Sequence, residues 1–443
     1  MKEMKTPTHY ETEYFALRNL APRPPYGPGD TLVIFGEVFE RGYVNGLIDE
    51  AKKAGLKVIF STVGRRDENL NLRALTSDEL TAKGHSPIIN IPLEAGFDLE
   101  LDDKGRRPVD QLKEYGLSGW EDAHLDWPSI EQARLRGIER MRTNIKLFIN
   151  ELRQHVDLKK NLIFAHTMAG GLPRARVVMP IANRVLTGSG PRYFSSETFW
   201  KSEIGQLCEK SFNEVTAETL HHLLDLTGDL RKAIEGNGAQ VSYTAFGYHG
   251  NEVLVGDKFE WYSYSPYLQG FAKVRLEQIA NQATQNGINC CVFNVPEILT
   301  NSSSIFLGVE VVLYPLMRAL RKAAPQSATV KNLLAQCQSK LKDGATVDDI
   351  DRITQDYLHN PTVRQWPSYK KWPQHNGPEQ MELMRNCSSA LIDLHKSPND
   401  LMTADLSEIV FRACGKIMFH EIAKPAKPAV WICHDLVTKV TLA

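Results

Sequence analysis

Short, unbroken apolar runs alternate along this chain with longer stretches in which apolar residues recur at helical spacing. Residues 31–35 read Thr-Leu-Val-Ile-Phe, 57–61 Lys-Val-Ile-Phe-Ser and 87–91 Pro-Ile-Ile-Asn-Ile, with further runs at 161–165, 239–243 and 288–293. Runs of that length without polar alternation predict strands buried on both faces. Helical patterns fall between them: 43–54, ended by Gly55; a long helix from Ser129; two segments within 197–235; and 266–286. Ser129 with Gln132 predicts a capping box for the long helix. Ile130, Ile138, Met141, Ile145, Phe148, Leu152 and Val156 predict its buried stripe. The alternation predicts an α/β fold, a doubly wound parallel sheet covered by helices on both faces. Residues 1–30 and 96–128 read as irregular chain.

After about residue 325 the texture becomes mainly helical, and Val430 to Cys433 predict one more strand. The expected organisation is a sheet-forming unit over 1–325 and a mainly helical C-terminal extension over 326–443, which returns a last strand near 430–433.

Charge narrows the partners. With 52 basic and 53 acidic residues the net charge is −1, which gives no pull toward nucleic acid or an anionic membrane. No apolar run approaches the roughly 20 residues of a membrane span, and the N-terminus lacks the apolar core of a signal peptide. The seven cysteines form no Cys-x-x-Cys pair, and the 13 histidines show no metal-ligand spacing. No metal site is expected, and the cytoplasm is the expected compartment.

Candidate chemistry sits where the predicted strands end. The first run leads into Gly36-Glu-Val-Phe-Glu-Arg-Gly42-Tyr43-Val-Asn-Gly46 and then a helix. Strand, glycine turn and helix N-terminus together hold a pyrophosphate, so Gly36, Gly42, Tyr43 and Gly46 are candidate ligands of NAD(P). An ordinary strand-to-helix turn has the same outline, and Glu37 is unfavourable beside an anion.

After the second strand comes Ser61-Thr-Val-Gly-Arg65-Arg66. Arginines at that position favour the 2′-phosphate of NADP(H) over NAD(H), although a solvated basic loop reads alike. The fourth strand ends in Ala165-His166-Thr167-Met-Ala-Gly170-Gly171, whose small residues let a cofactor approach; His166 reads equally as a structural histidine. Ser242-Tyr243 ends the fifth strand. An apparent hairpin follows it, then Tyr264-Ser265-Pro266-Tyr267 and Lys273. Ser265 and Pro266 suit a helix start. A tyrosine beside a lysine ammonium can stabilise an enolate or deliver a proton; amphipathic packing accounts for the same residues. The sixth strand runs into Pro296-Glu-Ile298-Leu-Thr300, suited to a nicotinamide carboxamide and diphosphate or to a plain helix cap.

Taken in order, these segments resemble the short-chain dehydrogenase/reductase superfamily, and within it the enoyl-acyl-carrier-protein reductases. The wide glycine spacing Gly36 to Gly46, His166-Thr167, Ser242-Tyr243, Tyr264-x8-Lys273 and Pro296-x-Ile298-x-Thr300 carry the resemblance, over roughly residues 30–310. It implies a Rossmann sheet and hydride delivery from NAD(P)H, with NADP(H) suggested by the arginines, to Cβ of a 2-enoyl thioester on a small-molecule or protein carrier. It implies Tyr264 at the enolate oxygen, Lys273 at the nicotinamide ribose, Tyr243 assisting at the carbonyl, and a homo-oligomer. Tyr267 competes with Tyr264 for the central role. Gly42 stands where these reductases usually have serine, and about ten residues are inserted between Tyr243 and Tyr264. A ketone-reducing relative and a non-catalytic NADP-binding protein are the alternatives.

Overall fold

The computed structural model describes residues 12–190, 193–248, 250–262, 268–301, 303, 307–365 and 375–443. Eleven strands follow in chain order among the described residues: β1 (Thr31–Phe35), β2 (Lys57–Thr62), β3 (Arg65–Arg66), β4 (Leu72–Arg73), β5 (Ile88–Pro92), β6 (Leu162–His166), β7 (Val241–Gly247), β8 (Asn251–Val255), β9 (Lys258–Tyr262), β10 (Asn289–Asn294) and β11 (Ala429–Trp431). Seven form one sheet in the order β11-β10-β7-β6-β1-β2-β5, every neighbour parallel. β3–β4 and β8–β9 are small antiparallel ladders outside it.

The continuous apolar runs are explained by burial on both faces. Leu32, Ile34, Val58, Phe60, Ile163 and Ala165 point into one core, shared with Leu47, Ile48 and Ala51 of helix Val44–Lys53 and with Val410, Cys414 and Ile417 of helix Thr403–Glu421. Val33, Phe35, Ile59, Phe164 and Tyr243 point into the other, shared with Met141, Ile145 and Phe148 of helix Trp127–Leu152 and Leu276, Ile279 and Ala280 of helix Gly270–Gln285. The doubly wound parallel sheet is thus present as expected. The last strand is also present, paired from Ala429–Trp431 onto β10. Residues 15–17, read as irregular, lie alongside it: Leu17 N donates to Trp431 O and Trp431 N to Phe15 O, both at 2.9 Å.

Two local readings are corrected. The long helix starts earlier, at Trp127, and its cap is Asp126, whose carboxylate accepts from Ser129 N at 3.2 Å. Ser129 is buried inside the first turn, its hydroxyl donating to Asp102 at 2.7 Å, while Gln132 accepts from Asp103 N. The stripe also rotates: Ala133, Gly137 and Ile149 are buried, whereas Ile138 is only half-buried and Val156 lies beyond the helix. No helix among the described residues is long and apolar enough to cross a membrane.

Candidate active site

The strand order reverses between β1 and β6, and the carboxyl ends on either side of that point open the crevice where ligands of such sheets bind. Gly36 ends β1 with φ at +126°, a conformation that L side chains rarely adopt. A Cβ on it would run into the Thr167 hydroxyl, so glycine alone fits. Ser61 pins the turn by accepting from Gly36 N at 2.9 Å and donating to Gly36 O at 3.1 Å. Thr167 donates from its hydroxyl to Phe35 O at 3.2 Å. Ser61 and Thr167 thereby shape the turn; Ala165 is wholly buried beside it.

Gly42 is the open position of the turn, with nothing within 4 Å of an added Cβ. Tyr43 stacks on Phe246 (ring centroids 6.0 Å apart, 23° between planes) and its hydroxyl donates to Pro296 O. Arg41 N donates to Asn301 Oδ1 at 3.0 Å. The loops after β1 and β10 therefore meet over the sheet edge. Ile298 is fully buried beneath them, and Thr300 and Ser303 exchange hydrogen bonds as a local turn. Glu297 is buried in the same loop, and that burial pushes its carboxyl up to about 8.

Gly46 does not face the crevice. It lies against Gly415, where a Cβ on either residue would strike the backbone of the opposite helix. Its role is a close helix crossing, so it is removed from the cofactor candidates.

Lys273 reaches the crevice from helix Gly270–Gln285. Its ammonium is buried and donates to Phe246 O at 2.7 Å, its one acceptor among the described residues. Burial pulls it down to about 8. His166 lies near enough for the Lys273 charge to be felt: burial first, then that charge, push the imidazole down to about 3. Its Nε2 lies 2.8 Å from the Thr219 hydroxyl, which itself donates to Val215 O. Thr219 is thus the acceptor and Nε2 carries the proton, making His166 a neutral structural support. A π-helical turn, Asn213–Glu218, precedes Thr219 and sends the Thr216 hydroxyl to Gly170 O.

Tyr243 is also corrected. It is the third residue of β7, about 13 Å along the strand from its carboxyl end. The ring stacks on Phe164 (5.2 Å, 9°), and the hydroxyl donates to Thr227 at 2.7 Å while accepting from Arg231 at 3.1 Å. Strand alternation aims it into the core behind the sheet, so it cannot assist at a carbonyl in the crevice. Tyr264 and Tyr267, with Ser265 and Pro266, lie outside the described residues.

The two arginines are not free either. Arg65 reaches Glu37 with both terminal nitrogens, at 3.1 and 3.0 Å. Arg66, largely buried, is held by Glu94 and Glu100 at 2.7 and 3.0 Å. The Glu37 that looked misplaced beside an anion is therefore a counter-ion, a pairing between residues 28 apart that the sequence does not signal.

The crevice fits a nicotinamide dinucleotide on three counts. Its turn is a glycine with positive φ, Gly42 leaves space at the helix start, and a buried ammonium stands at the far side. Such a fold and site define an NAD(P)H-dependent oxidoreductase of the Rossmann type. The profile of the family described as enoyl-acyl carrier protein reductase FabMG matches residues 13–441, and the chain belongs to that family. An apo structure of FabMG is similar at 41% identity and TM-score 0.92, covering 97% of this chain and 98% of that one. An NADH-bound structure of FabMG is similar at 35% identity and TM-score 0.78, covering 96% and 98%. Comparison with curated proteins finds no match.

Proposed function

We propose that this chain reduces the 2,3-double bond of an enoyl group held as a thioester on acyl carrier protein, with NADH as reductant. The observation that carries the reading is the buried Lys273 ammonium at the crevice, nine residues after Tyr264 and within a chain that belongs to an enoyl reductase family. The bound nicotinamide supplies the hydride that enters at Cβ. The chain's own residues manage the charge that this leaves on the thioester oxygen. Tyr264 donates a hydrogen bond to that oxygen, which counts most where charge develops. Lys273 holds the nicotinamide ribose and keeps positive charge near the tyrosine. Gly36, Gly42 and Tyr43 line the diphosphate side, with Pro296, Ile298 and Thr300 toward the nicotinamide.

NADH replaces the NADP(H) expected from the paired arginines. That expectation rested on free guanidinium groups, and both are engaged by carboxylates. The FabMG structure at 35% identity is described with NADH bound, in support of the same choice.

The test follows NADH oxidation with a crotonyl thioester and, separately, a β-ketoacyl thioester. Turnover of the enoyl substrate is expected; turnover of the ketone alone would make the chain a carbonyl reductase. Tyr264→Phe should lower kcat by about 100-fold or more, and Tyr267→Phe far less. The reverse ranking would transfer the role to Tyr267. NADH binding without turnover of any acyl thioester, unchanged by Tyr264→Phe, would leave a non-catalytic binding protein.

A further inference from the structure

Three chain segments converge on one buried carboxylate at the adenosine end of the crevice. Glu37 follows the glycine turn of β1 and is 7% exposed. Arg65 arrives as the first residue of β3, just past the end of β2, directed by Gly64, whose φ is +76° and whose added Cβ would lie 2.6 Å from Arg73 O. Lys83 arrives from the last turn of helix Ser77–Lys83, with its ammonium on Glu37 and over the Phe39 ring at 6.0 Å. Arg65 spends both terminal nitrogens on Glu37, and Nη1 also donates to Gly64 O at 2.7 Å. The end of β2 is where a dinucleotide presents the ribose of its adenosine.

We propose that Glu37 is the residue that sets the dinucleotide preference. It occupies the planar fork of Arg65, the group best shaped to receive a 2′-phosphate. To bind such a phosphate, Arg65 must release a carboxylate that is itself buried, the Glu37 side chain being only 5% exposed. A ribose 2′-hydroxyl makes no such demand and can donate to Glu37. Lys83 is the second cation on Glu37 and helps to hold its carboxylate in place. Arg66 offers no substitute receptor, since Glu94 and Glu100 hold it inward. The inference rests on the cofactor reading above and adds to it the origin of the selectivity.

Calorimetric titration with ADP and adenosine 2′,5′-bisphosphate tests it without catalysis. The unaltered chain should bind ADP at least as tightly as the bisphosphate; tighter binding of the bisphosphate overturns the inference before any variant is made. In Glu37→Gln, the ratio of affinities should move toward the bisphosphate by about tenfold or more. A shift below about threefold, in a variant whose melting transition shows it folded, also overturns it. Adding Arg65→Gln to Glu37→Gln should abolish the gain; a gain that survives means that Arg65 is not the receptor, and the inference fails. If Glu37→Gln does not fold, the comparison on the unaltered chain decides. Failure of the unaltered chain to bind ADP or NADH would instead remove the cofactor reading itself.

Discussion

At the scale of single residues, Lys273 ties burial to a measurable pH dependence. Water solvates an ammonium far better than this site does, and burial brings the group down to about 8. A lowered lysine value means that the charged form persists below about 8 and is lost as pH rises through it. If that charge helps to hold the cofactor, NADH affinity should weaken above about pH 8, followed by fluorescence titration from about pH 6 to about pH 10. Lys273→Met should flatten the profile at the weak end. Glu297 titrates in the same window, raised by burial to about 8, so Glu297→Gln is the control and should keep the lysine's profile. His166, pushed down to about 3, stays neutral throughout and drops out. An unaltered chain whose affinity is flat across the range would separate Lys273 from the cofactor.

At the scale of elements, the glycine turn shows two glycines of one motif doing unrelated work. Gly42 faces open space, whereas Gly46 sits at the crossing of helices Val44–Lys53 and Thr403–Glu421, against Gly415. Gly46→Val should therefore destabilise by about 1–3 kcal/mol or more, as overpacking does, seen as a lower urea midpoint at unchanged slope. Gly42→Ala should stay within about 0.5 kcal/mol of the parent. Equal effects would deny the crossing its importance. The sequence could not assign these roles, because the partner glycine lies on a helix near the other end of the chain.

The legible features were those written locally. Parallel strands such as β1 and β6 are buried on both faces and so appear as unbroken apolar runs. The β8–β9 ladder falls where the sequence showed an apparent hairpin after the fifth strand. Features that depend on distant partners were read less well. Ser129 looks like a cap but turns inward to Asp102, and Tyr243 looks catalytic but hydrogen-bonds Thr227 and Arg231 behind the sheet. Arg65 and Arg66 read as a free pair only because Glu37, Glu94 and Glu100 are remote in sequence.

At the scale of the whole molecule, the ends of the chain complete the sheet that its middle begins. β11 pairs with β10, and residues 15–17 cover the far side of β11. Arg18 then fastens this corner, reaching Glu252 at 2.6 Å and Asp435 at 3.2 Å, while the Tyr14 hydroxyl donates to Glu252 at 2.5 Å. Helix Thr403–Glu421 covers the sheet face with Leu406, Val410, Ala413, Cys414, Ile417 and Met418, none more than 4% exposed. Burial of six such side chains is worth on the order of 10 kcal/mol, an upper estimate that still matches the whole stability of a typical domain. Removing that helix would also expose the apolar face of helix Val44–Lys53, the helix whose start forms the cofactor turn. Residues 1–325 produced alone should therefore lack cooperative unfolding and fixed near-ultraviolet circular dichroism, and should bind no NADH. Co-expressed with residues 326–443 as a separate chain, they should recover both if the interface is what was missing. A monomeric 1–325 fragment that melts cooperatively and binds NADH like the full chain would show instead that the first 325 residues fold on their own, and that the C-terminal layer is an addition to a finished domain.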